Sequence, residues 1–532
     1  MTKMSGSQAL VKSLYKEGIR VVFGLPGIHI YPILDSIYDE QNIQFITTRH
    51  EQAASYMAFG YSKTGKGIGT ALVVPGPGLL NASAGIGTAY AASSPILVIS
   101  GQNNKNTIGL NRGELHEVND QLDTVKPITK WASRITTASQ IPARVQEAFI
   151  NLRSGHPRPV EIEIPQDTLE EVDEINLLES KICEPITPSM NSLLQGAETL
   201  HDSIQPIIFA GGGLISSGGT KELQKLAEYL QSPVITTHDG KGSISEDHYL
   251  SIGTYSFKSD VLDHKLQQCD VILAVGTRLL EPKLSPKQKV VQIDIDLDEI
   301  GRNHQNTISI VGDARISLEK LYYHIASSTP PRSKQKQEIS KLRNCNLSSL
   351  SHLKIQSEFI QAIRSAIPRD GILVEGATQI GYACGTFFPV YNPNTYITSS
   401  YFGNLGYAYP TALGAKVAEP DKAVVAISGD GGFLFNSQEL ATAMMYGINV
   451  VVIVFNDNAY GNVLRDQKYT YNNRIIGSSL QNPDFVKLAQ AYGARGIRAE
   501  NPDQLEISLR EALAIDTSTL IEVPVGIMPS PF

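Results

Sequence analysis

The sequence has little of what marks a secreted, membrane-spanning or nucleic-acid-binding protein. Cysteine is scarce: four residues in 532 (Cys183, Cys269, Cys345, Cys384), scattered, with no Cys-x-x-Cys pair. That usage argues against a disulfide scaffold or structural zinc and fits a reduced cytosol. No apolar run approaches the roughly 20 residues that span a bilayer. The opening residues, Met-Thr-Lys-Met-Ser-Gly-Ser-Gln, lack the apolar core of a signal peptide. Positive charge is also short, with a net charge of -8 and no long basic block. Neither nucleic acid nor an anionic membrane is expected as a partner, and the expected location is the cytoplasm.

What is present is a globular composition and length for roughly three domains of about 150 residues. Residues 1–175 alternate helical and strand patterns. A helix around Ser7–Glu17 leads to a strand Arg20–Phe23 and the loop Gly24-Leu25-Pro26-Gly27-Ile28-His29. A strand near Gln44–Thr47 precedes Arg49-His50-Glu51-Gln52-Ala53-Ala54, which opens another helix. Gly69–Val74 and Ile96–Ser100 read as buried parallel strands. Between them, Pro75-Gly76-Pro77-Gly78 opens the small-residue helix Leu79–Ala92, whose Ala and Gly content predicts close packing against another backbone. This is a doubly wound α/β pattern. Residues 170–200 are acidic, then Pro- and Ser-containing, and read as a linker. A second α/β unit spans 190–326; its Gly211-Gly212-Gly213 run is read as structural, since such a turn is weak evidence for a dinucleotide site. The polar stretch Ser327–Ser351 reads as a second linker, and a third α/β unit spans 352–532.

The third unit carries the densest chemistry. An apolar strand from Val424 ends in Gly429-Asp430-Gly431-Gly432; a helix follows, then a second apolar strand ending in Asn456-Asp457-Asn458-Ala459-Tyr460-Gly461. In a parallel βαβ unit both turns lie at the carboxyl ends of adjacent strands, where such sheets bind ligands. Asp430 and Asp457 can therefore converge. Hard oxygen ligands suit Mg²⁺ or Ca²⁺, and Mg²⁺ typically shares its octahedron with a phosphate and water. The glycines let backbone N–H groups approach that phosphate. Gly-Asp-Gly at a strand end is often only a turn; the second acid-bearing turn argues for a site.

These segments, in this order, resemble the thiamine-diphosphate-dependent enzymes, specifically the acetolactate synthase-like group, over essentially the whole chain. Gly429-Asp430-Gly431 with the Asn456-Asp457 turn resembles the metal–diphosphate motif, Arg49–Ala54 the catalytic-glutamate segment, and Gly24–Gly27 the first loop. The resemblance implies three doubly wound parallel-sheet domains: pyrimidine-binding (1–175), central (190–326) and diphosphate-binding (352–532). It implies thiamine diphosphate and Mg²⁺ (or Ca²⁺), with Asp430, Asp457 and Ala459 on the metal. It places Gly429, Asp430, Gly431, Gly432, Asp457, Asn458, Tyr460 and Gly461 on the cofactor. Leu405, in Tyr401-Phe402-Gly403-Asn404-Leu405-Gly406, would be the wedge under a bent cofactor, and the Gly403 carbonyl would hold its 4'-amino group. Thr378 and Gln379 stand where the family often has Gln-His on the diphosphate. Asp457 departs from the usual Asn but still supplies an oxygen. The cofactor would lie between two subunits of a homodimer or homotetramer.

The chemistry follows from acidity. The thiazolium C2 proton is too weakly acidic for an ordinary protein base, so the cofactor's own 4'-amino group becomes the base when an acid sits near N1'. A carboxyl in an apolar setting suits that role, and Glu51 precedes Ala53, Ala54 and Met57. Its alternative is to complement a helix N-terminus. After addition to a 2-oxo acid and loss of CO₂, protonation gives an aldehyde, whereas attack on an aldehyde or ketone acceptor gives an acyloin-type product. His29 and His116 are placed to influence that choice, because an imidazole titrating near neutrality can shuttle a proton; the alternative for each is a hydrogen-bonded loop histidine. His116 stands where acetolactate synthases have Gln. Arg278-Leu-Leu-Glu replaces the Arg-Phe-Asp-Asp-type run of flavin-binding relatives, which weighs against FAD. The expected reaction is 2-oxo acid decarboxylation with carboligation, by a lyase or transferase. The alternatives are a non-ligating decarboxylase or acyloin lyase, and, in a different class, a catalytically silent cofactor-binding partner.

Overall fold

A computed structural model describes residues 1–256, 259–334 and 336–531. Gln335 of the expected second linker and Phe532, the end of the expected third unit, lie outside the described residues. The described chain forms three six-stranded parallel sheets flanked by helices. The strands are short Val/Ile runs buried on both faces, as helix-covered parallel sheets require; in Val451–Asn456 the first five residues are all buried.

Taken by chain position within each unit, the first and third sheets share the strand order 2-1-3-4-6-5, while the central sheet runs 3-2-1-4-5-6. The third sheet is Tyr396–Ile397, Ile372–Glu375, Val424–Gly429, Val451–Asn456, Thr519–Pro524 and Arg495–Arg498. In both outer units the order reverses between the first and third strands, which opens a crevice at their carboxyl ends.

One apolar cluster joins the outer units: Met57, Phe59 and Ala82 of the first pack with Tyr409, Leu413 and Phe433 of the third. The join is made by helices Glu51–Lys63 and Ala408–Ala418 crossing at backbone distance. A Cβ on Gly414 would lie 1.9 Å from the Met57 carbonyl oxygen, and one on Gly60 1.9 Å from that of Thr411. The expected close packing of the small-residue helix is also present: a Cβ on Gly85, in Pro77–Ala91, would lie 2.1 Å from Ser55 Oγ. The central unit has its own core. There Gly211 and Gly213 back onto Gly276, a Cβ on Gly211 falling 2.2 Å from the Gly276 carbonyl oxygen, which accords with the structural reading of that glycine run.

Both expected linkers are shorter than composition suggests. Val172–Ile175 is a strand paired antiparallel with Thr2–Ser5, anchored by buried Ile175, and Met190–Asp202 is a helix capped by Ser189. The helix Ala314–Ser328 runs past residue 326, and Lys336–Ser349 is helical rather than a solvated connector. Only Ile339 and Asn346 of that last helix are buried, with Ser259 Oγ donating to Asn346 Oδ1 at 2.5 Å. Leu342 packs on the central core beside Ile339, and Arg343 Nη1 donates to the Glu246 carbonyl at 2.8 Å; the remaining faces meet water, and polar composition reports only those faces.

Candidate active site

Two half-sites lie on the chain. The first is built where the strands of the first sheet end. After Gln44–Thr47, extended His50 caps the helix Glu51–Lys63, its Nδ1 accepting from the Gln52 N–H at 3.1 Å. Glu51 is thereby the first helical residue; it is buried, and its Oε2 accepts from Asn81 Nδ2 at 3.0 Å. Asn81 belongs to the helix that the Pro75–Gly78 turn opens.

The same turn seats His116. A Cβ on Gly76 would lie 2.3 Å from the His116 carbonyl oxygen, and Gly76 and His116 both hold left-handed φ, 56° and 65°. For a histidine that conformation stores strain on the order of 1–3 kcal/mol, as held loops at functional sites do. The His116 Nδ1 is buried without a hydrogen-bond partner among the described residues. His29, buried at the end of the Gly24–Gly27 loop, has Nε2 2.9 Å from Asn103 Oδ1, and its ring centroid is 5.1 Å from that of His116. Burial lowers the His29 pKa below the usual 6.5, against the Asn103 hydrogen bond, so the neutral imidazole dominates at pH 7.

The second half-site lies at the carboxyl ends of three neighbouring strands, Ile372–Glu375, Val424–Gly429 and Val451–Asn456, held in register by the pairs Glu375↔Ile427 and Gly429↔Phe455. A cavity of about 370 Å³ opens there, lined among others by Thr378, Gln379, Leu405, Asp430, Asp457 and Ala459. Gly429, Gly431, Gly432, Tyr460 and Gly461 line it as well. Two of these glycines are required by contact: a Cβ on Gly431 would lie 2.6 Å from the Tyr460 ring, and one on Gly461 2.1 Å from Asp457 Oδ2. Asp430 is buried and accepts from Asn482 Nδ2 at 2.6 Å. Asp457 Oδ1 accepts from the Ala459 N–H at 3.2 Å and Oδ2 from Gln379 Nε2 at 2.7 Å.

Burial raises the Asp430 carboxyl above its usual range. Burial and then the Asp430 charge push Asp457 up to about 6. The two carboxylates line one cavity with Ala459 and offer oxygen donors suited to a hard divalent cation. Asn482 Oδ1, beside Asp430, is buried without a hydrogen-bond partner among the described residues. The residues present fit a metal-anchored diphosphate.

Two expected contacts fall outside the cavity lining. Asn458 is exposed with φ 53° and serves the turn, its carbonyl accepting from the Leu480 N–H at 2.7 Å. Gly403 takes φ 60° with nothing near its absent Cβ. Leu405 is carried to the cavity by its neighbours: Asn404 bonds Tyr56 and Thr88, and Phe402 packs on Gly87. Gln379 spends its amide on Asp457 and the Met528 N–H. Glu51, His29 and His116 do not line this cavity.

Sequence comparison resolves the kinship. Three family descriptions match: thiamine pyrophosphate enzyme N-terminal TPP binding domain (residues 4–124), central domain (194–321) and C-terminal TPP binding domain (376–523). A probable acetolactate synthase large subunit of Methanocaldococcus jannaschii is 34% identical over 98% of this chain and 92% of its own. The chain belongs to the thiamine pyrophosphate enzymes. Within them it is acetolactate synthase-like, being 31% identical to an acetolactate synthase isozyme 3 large subunit of Escherichia coli over 96% of this chain and 93% of that one. A probable 2-ketoarginine decarboxylase of Pseudomonas aeruginosa is 31% identical over 98% and 94%.

Asn81, Asn103, Asn436, Glu439, Asn482 and Met528 escape sequence reasoning. Each acts on a partner distant in the chain, and no local pattern marks them. Asn436 is the clearest case: its Nδ2 donates to Gln52 Oε1 at 3.0 Å and to the Gly406 carbonyl at 2.8 Å, tying the residue after Glu51 to the residue after Leu405.

Proposed function

We propose that this thiamine pyrophosphate enzyme removes CO₂ from a 2-oxo acid and joins the remaining fragment to a second carbonyl. The observation that carries the reading is the single cavity on which Leu405, Asp430, Asp457 and Ala459 converge. Bound thiamine diphosphate supplies an acidic thiazolium carbon and its own 4'-amino base. Asp430, Asp457 and the Ala459 carbonyl would hold Mg²⁺ (or Ca²⁺); Gly429, Gly431, Gly432, Thr378, Tyr460 and Gly461 would form the diphosphate cradle, and Leu405 would lie under the cofactor. Glu51 holds a proton at N1'. Its apolar neighbours Ala53, Ala54 and Met57 are fully buried, and they keep water from competing for that proton. We assign no flavin, because Arg278-Leu-Leu-Glu stands where flavin-binding relatives carry an Arg-Phe-Asp-Asp-type run; an absorbance scan of the purified protein tests this.

The reading makes 1–175 the pyrimidine-binding unit, 190–326 the central unit and 352–532 the diphosphate-binding unit. Because Glu51 stands apart from the cavity of its own chain, the complete site is assembled from Glu51 of one subunit and the cavity of another, in a homodimer or a tetramer of such pairs. Exposed apolar residues flank both halves: Ile28, Leu80 and Leu115 on the first, Tyr401, Phe402 and Val463 on the third. Large apolar groups left uncovered around a site mark an interface. Among the described residues no helix is long and apolar enough to cross a membrane; with all four cysteines unpaired, a cytoplasmic setting is our reading.

A second reading, simple decarboxylation, draws support from the adjacent His29 and His116 rings, whose nitrogens can relay a proton. Incubation with a panel of 2-oxo acids, thiamine diphosphate and Mg²⁺, with and without aldehyde acceptors, separates the two. Mass spectrometry shows a ligated acid or acyloin in the first case and an aldehyde alone in the second. Bound cofactor with no CO₂ from any 2-oxo acid would leave only a silent cofactor-binding partner.

A further inference from the structure

The helix Gly461–Tyr469 rises directly from the Asp457 turn and contains a guanidinium in an unusual state. Arg465 is only 5% exposed, forms no ion pair within 4.0 Å among the described residues, and leaves Nε and Nη1 buried without hydrogen-bond partners. Burying a charged donor in this way is costly unless it does something specific. Its one side-chain bond among the described residues runs from Nη2 to Asn462 Oδ1, at 2.7 Å.

That bond fixes Asn462 chemically. A guanidinium can only donate, so the atom of Asn462 that meets it is the carbonyl oxygen, and the amide NH₂ is directed away from Arg465. Asn462 lines the cavity, and its Nδ2 makes no hydrogen bond among the described residues. Asn462 therefore brings to the cavity lining an amide of fixed orientation whose donor capacity is unspent. Its position along the lining indicates what it meets. Asp430 is 1% and Ala459 4% exposed at the inner end, whereas Val463, next to Asn462, is 50% exposed. Asp430 and Ala459 sit deep; half-buried Asn462, beside exposed Val463, stands nearer the rim, where the molecule that enters last would arrive.

We infer that Asn462, oriented by Arg465, is a specificity-determining contact that recognises an oxygen acceptor on the side chain of the 2-oxo acid. Arg465 is a positioning residue: it acts through the amide. The inference rests on the 2-oxo acid reading above and narrows it, from any such acid to those whose side chain carries a hydroxyl, carbonyl or carboxylate oxygen.

The test measures binding, by calorimetry on the full-length protein loaded with thiamine diphosphate and Mg²⁺, so that turnover is not the only readout. The probes are 4-hydroxy-2-oxobutanoate, 2-oxoglutarate and the purely alkyl 2-oxobutanoate. The wild-type protein is expected to prefer at least one oxygenated probe by about tenfold, the value of one well-placed hydrogen bond to a bound group. The hydroxyl and carboxylate probes identify which acceptor is taken. Asn462→Asp keeps the size and the bond to Arg465 but turns the cavity-facing group from donor to acceptor, and the preference should vanish. Arg465→Met should weaken it, and Arg465→Lys, which still donates to Oδ1, should restore most of it. No preference in the wild type, or a preference that survives Asn462→Asp, overturns the inference. So does a fall in cofactor affinity in Asn462→Asp that is equal for all probes, since that outcome puts the amide on the diphosphate. Release of CO₂, followed separately, reports on the parent reading.

Discussion

The carboxylate of Glu439 accepts the backbone N–H of Arg49, at 3.0 Å to Oε1 and 3.2 Å to Oε2. A side chain of the third unit thus holds the chain two residues ahead of Glu51. Thr442 Oγ1 donates to the same carboxylate at 2.6 Å. Glu439 is fully buried, and that burial pushes its carboxyl from the ordinary 4.5 up to about 7, against the Thr442 and Arg49 hydrogen bonds and the Arg49 charge. The folded protein therefore binds this proton more tightly than the unfolded chain does. Its contribution is greatest below pH 4.5 and is lost as pH rises through 7, on the order of 3 kcal/mol in all. Glu439→Gln keeps an acceptor for Arg49 without a charge. Denaturant titrations between pH 5 and 8 should show a flatter stability profile in the variant, and an unchanged slope would remove Glu439 as its source.

Glu51 is fixed by its place at the helix start and by Asn81 Nδ2 at 3.0 Å. Glu51→Gln retains the shape and an acceptor for Asn81 but carries no transferable acid proton. Cofactor affinity should stay within a few-fold, while exchange of the thiazolium C2 proton, followed by NMR in D₂O, should slow by roughly 10²–10⁴-fold, the usual worth of a positioned acid–base group. Unchanged exchange would take Glu51 out of that role.

The crossing of the Glu51 and Ala408–Ala418 helices depends on the absence of two side chains. A Cβ on Gly414 would meet the Met57 carbonyl oxygen at 1.9 Å, and backbone cannot swing aside as a side-chain tip can. Gly414→Ala should therefore destabilise the join between the outer units by about 1–3 kcal/mol, as overpacking does. A lowered melting temperature is the direct readout. Gly447→Ala, where a Cβ would meet nothing although φ is 62°, serves as a control for backbone strain alone.

The fold was legible because its strands are nearly uninterrupted Val/Ile runs ended by Gly- and acid-bearing turns. Val451–Asn456 could hardly be mistaken, and Asp430 and Asp457 follow from strand ends. The connectors were not legible: Lys336–Ser349 is helical with only Ile339 and Asn346 buried, a signal too thin for composition to carry. The site was readable where one turn holds several of its residues, and opaque where the partner lies far off in the chain. Asn436 touches Gln52 across 384 residues, and nothing local to Asn436 announces it. The residues around Asn458 show the limit from the other side: the motif marks the turn, but which of its side chains face the cavity is set by φ.

Asn482 is the last of these distant partners, and its role is open to a clean test. Its Nδ2 lies 2.6 Å from Asp430 Oδ2 and 3.0 Å from Asn456 Oδ1, so it orients the buried acid while bridging the two turns. If Asp430 ligates the metal, Asn482 is the group behind a ligand, and such groups typically govern affinity by roughly 10–100-fold when removed. Asn482→Ala should weaken Mg²⁺-dependent cofactor binding by that factor, with excess Mg²⁺ restoring it. Treatment with a chelator should release thiamine diphosphate from both proteins, and from the variant at lower chelator concentration. Equal sensitivity of wild type and variant would mean that Asn482 supports the turns but not the metal. Rescue by Asn482→Gln is not expected, because the longer side chain cannot satisfy both oxygens from the same backbone position.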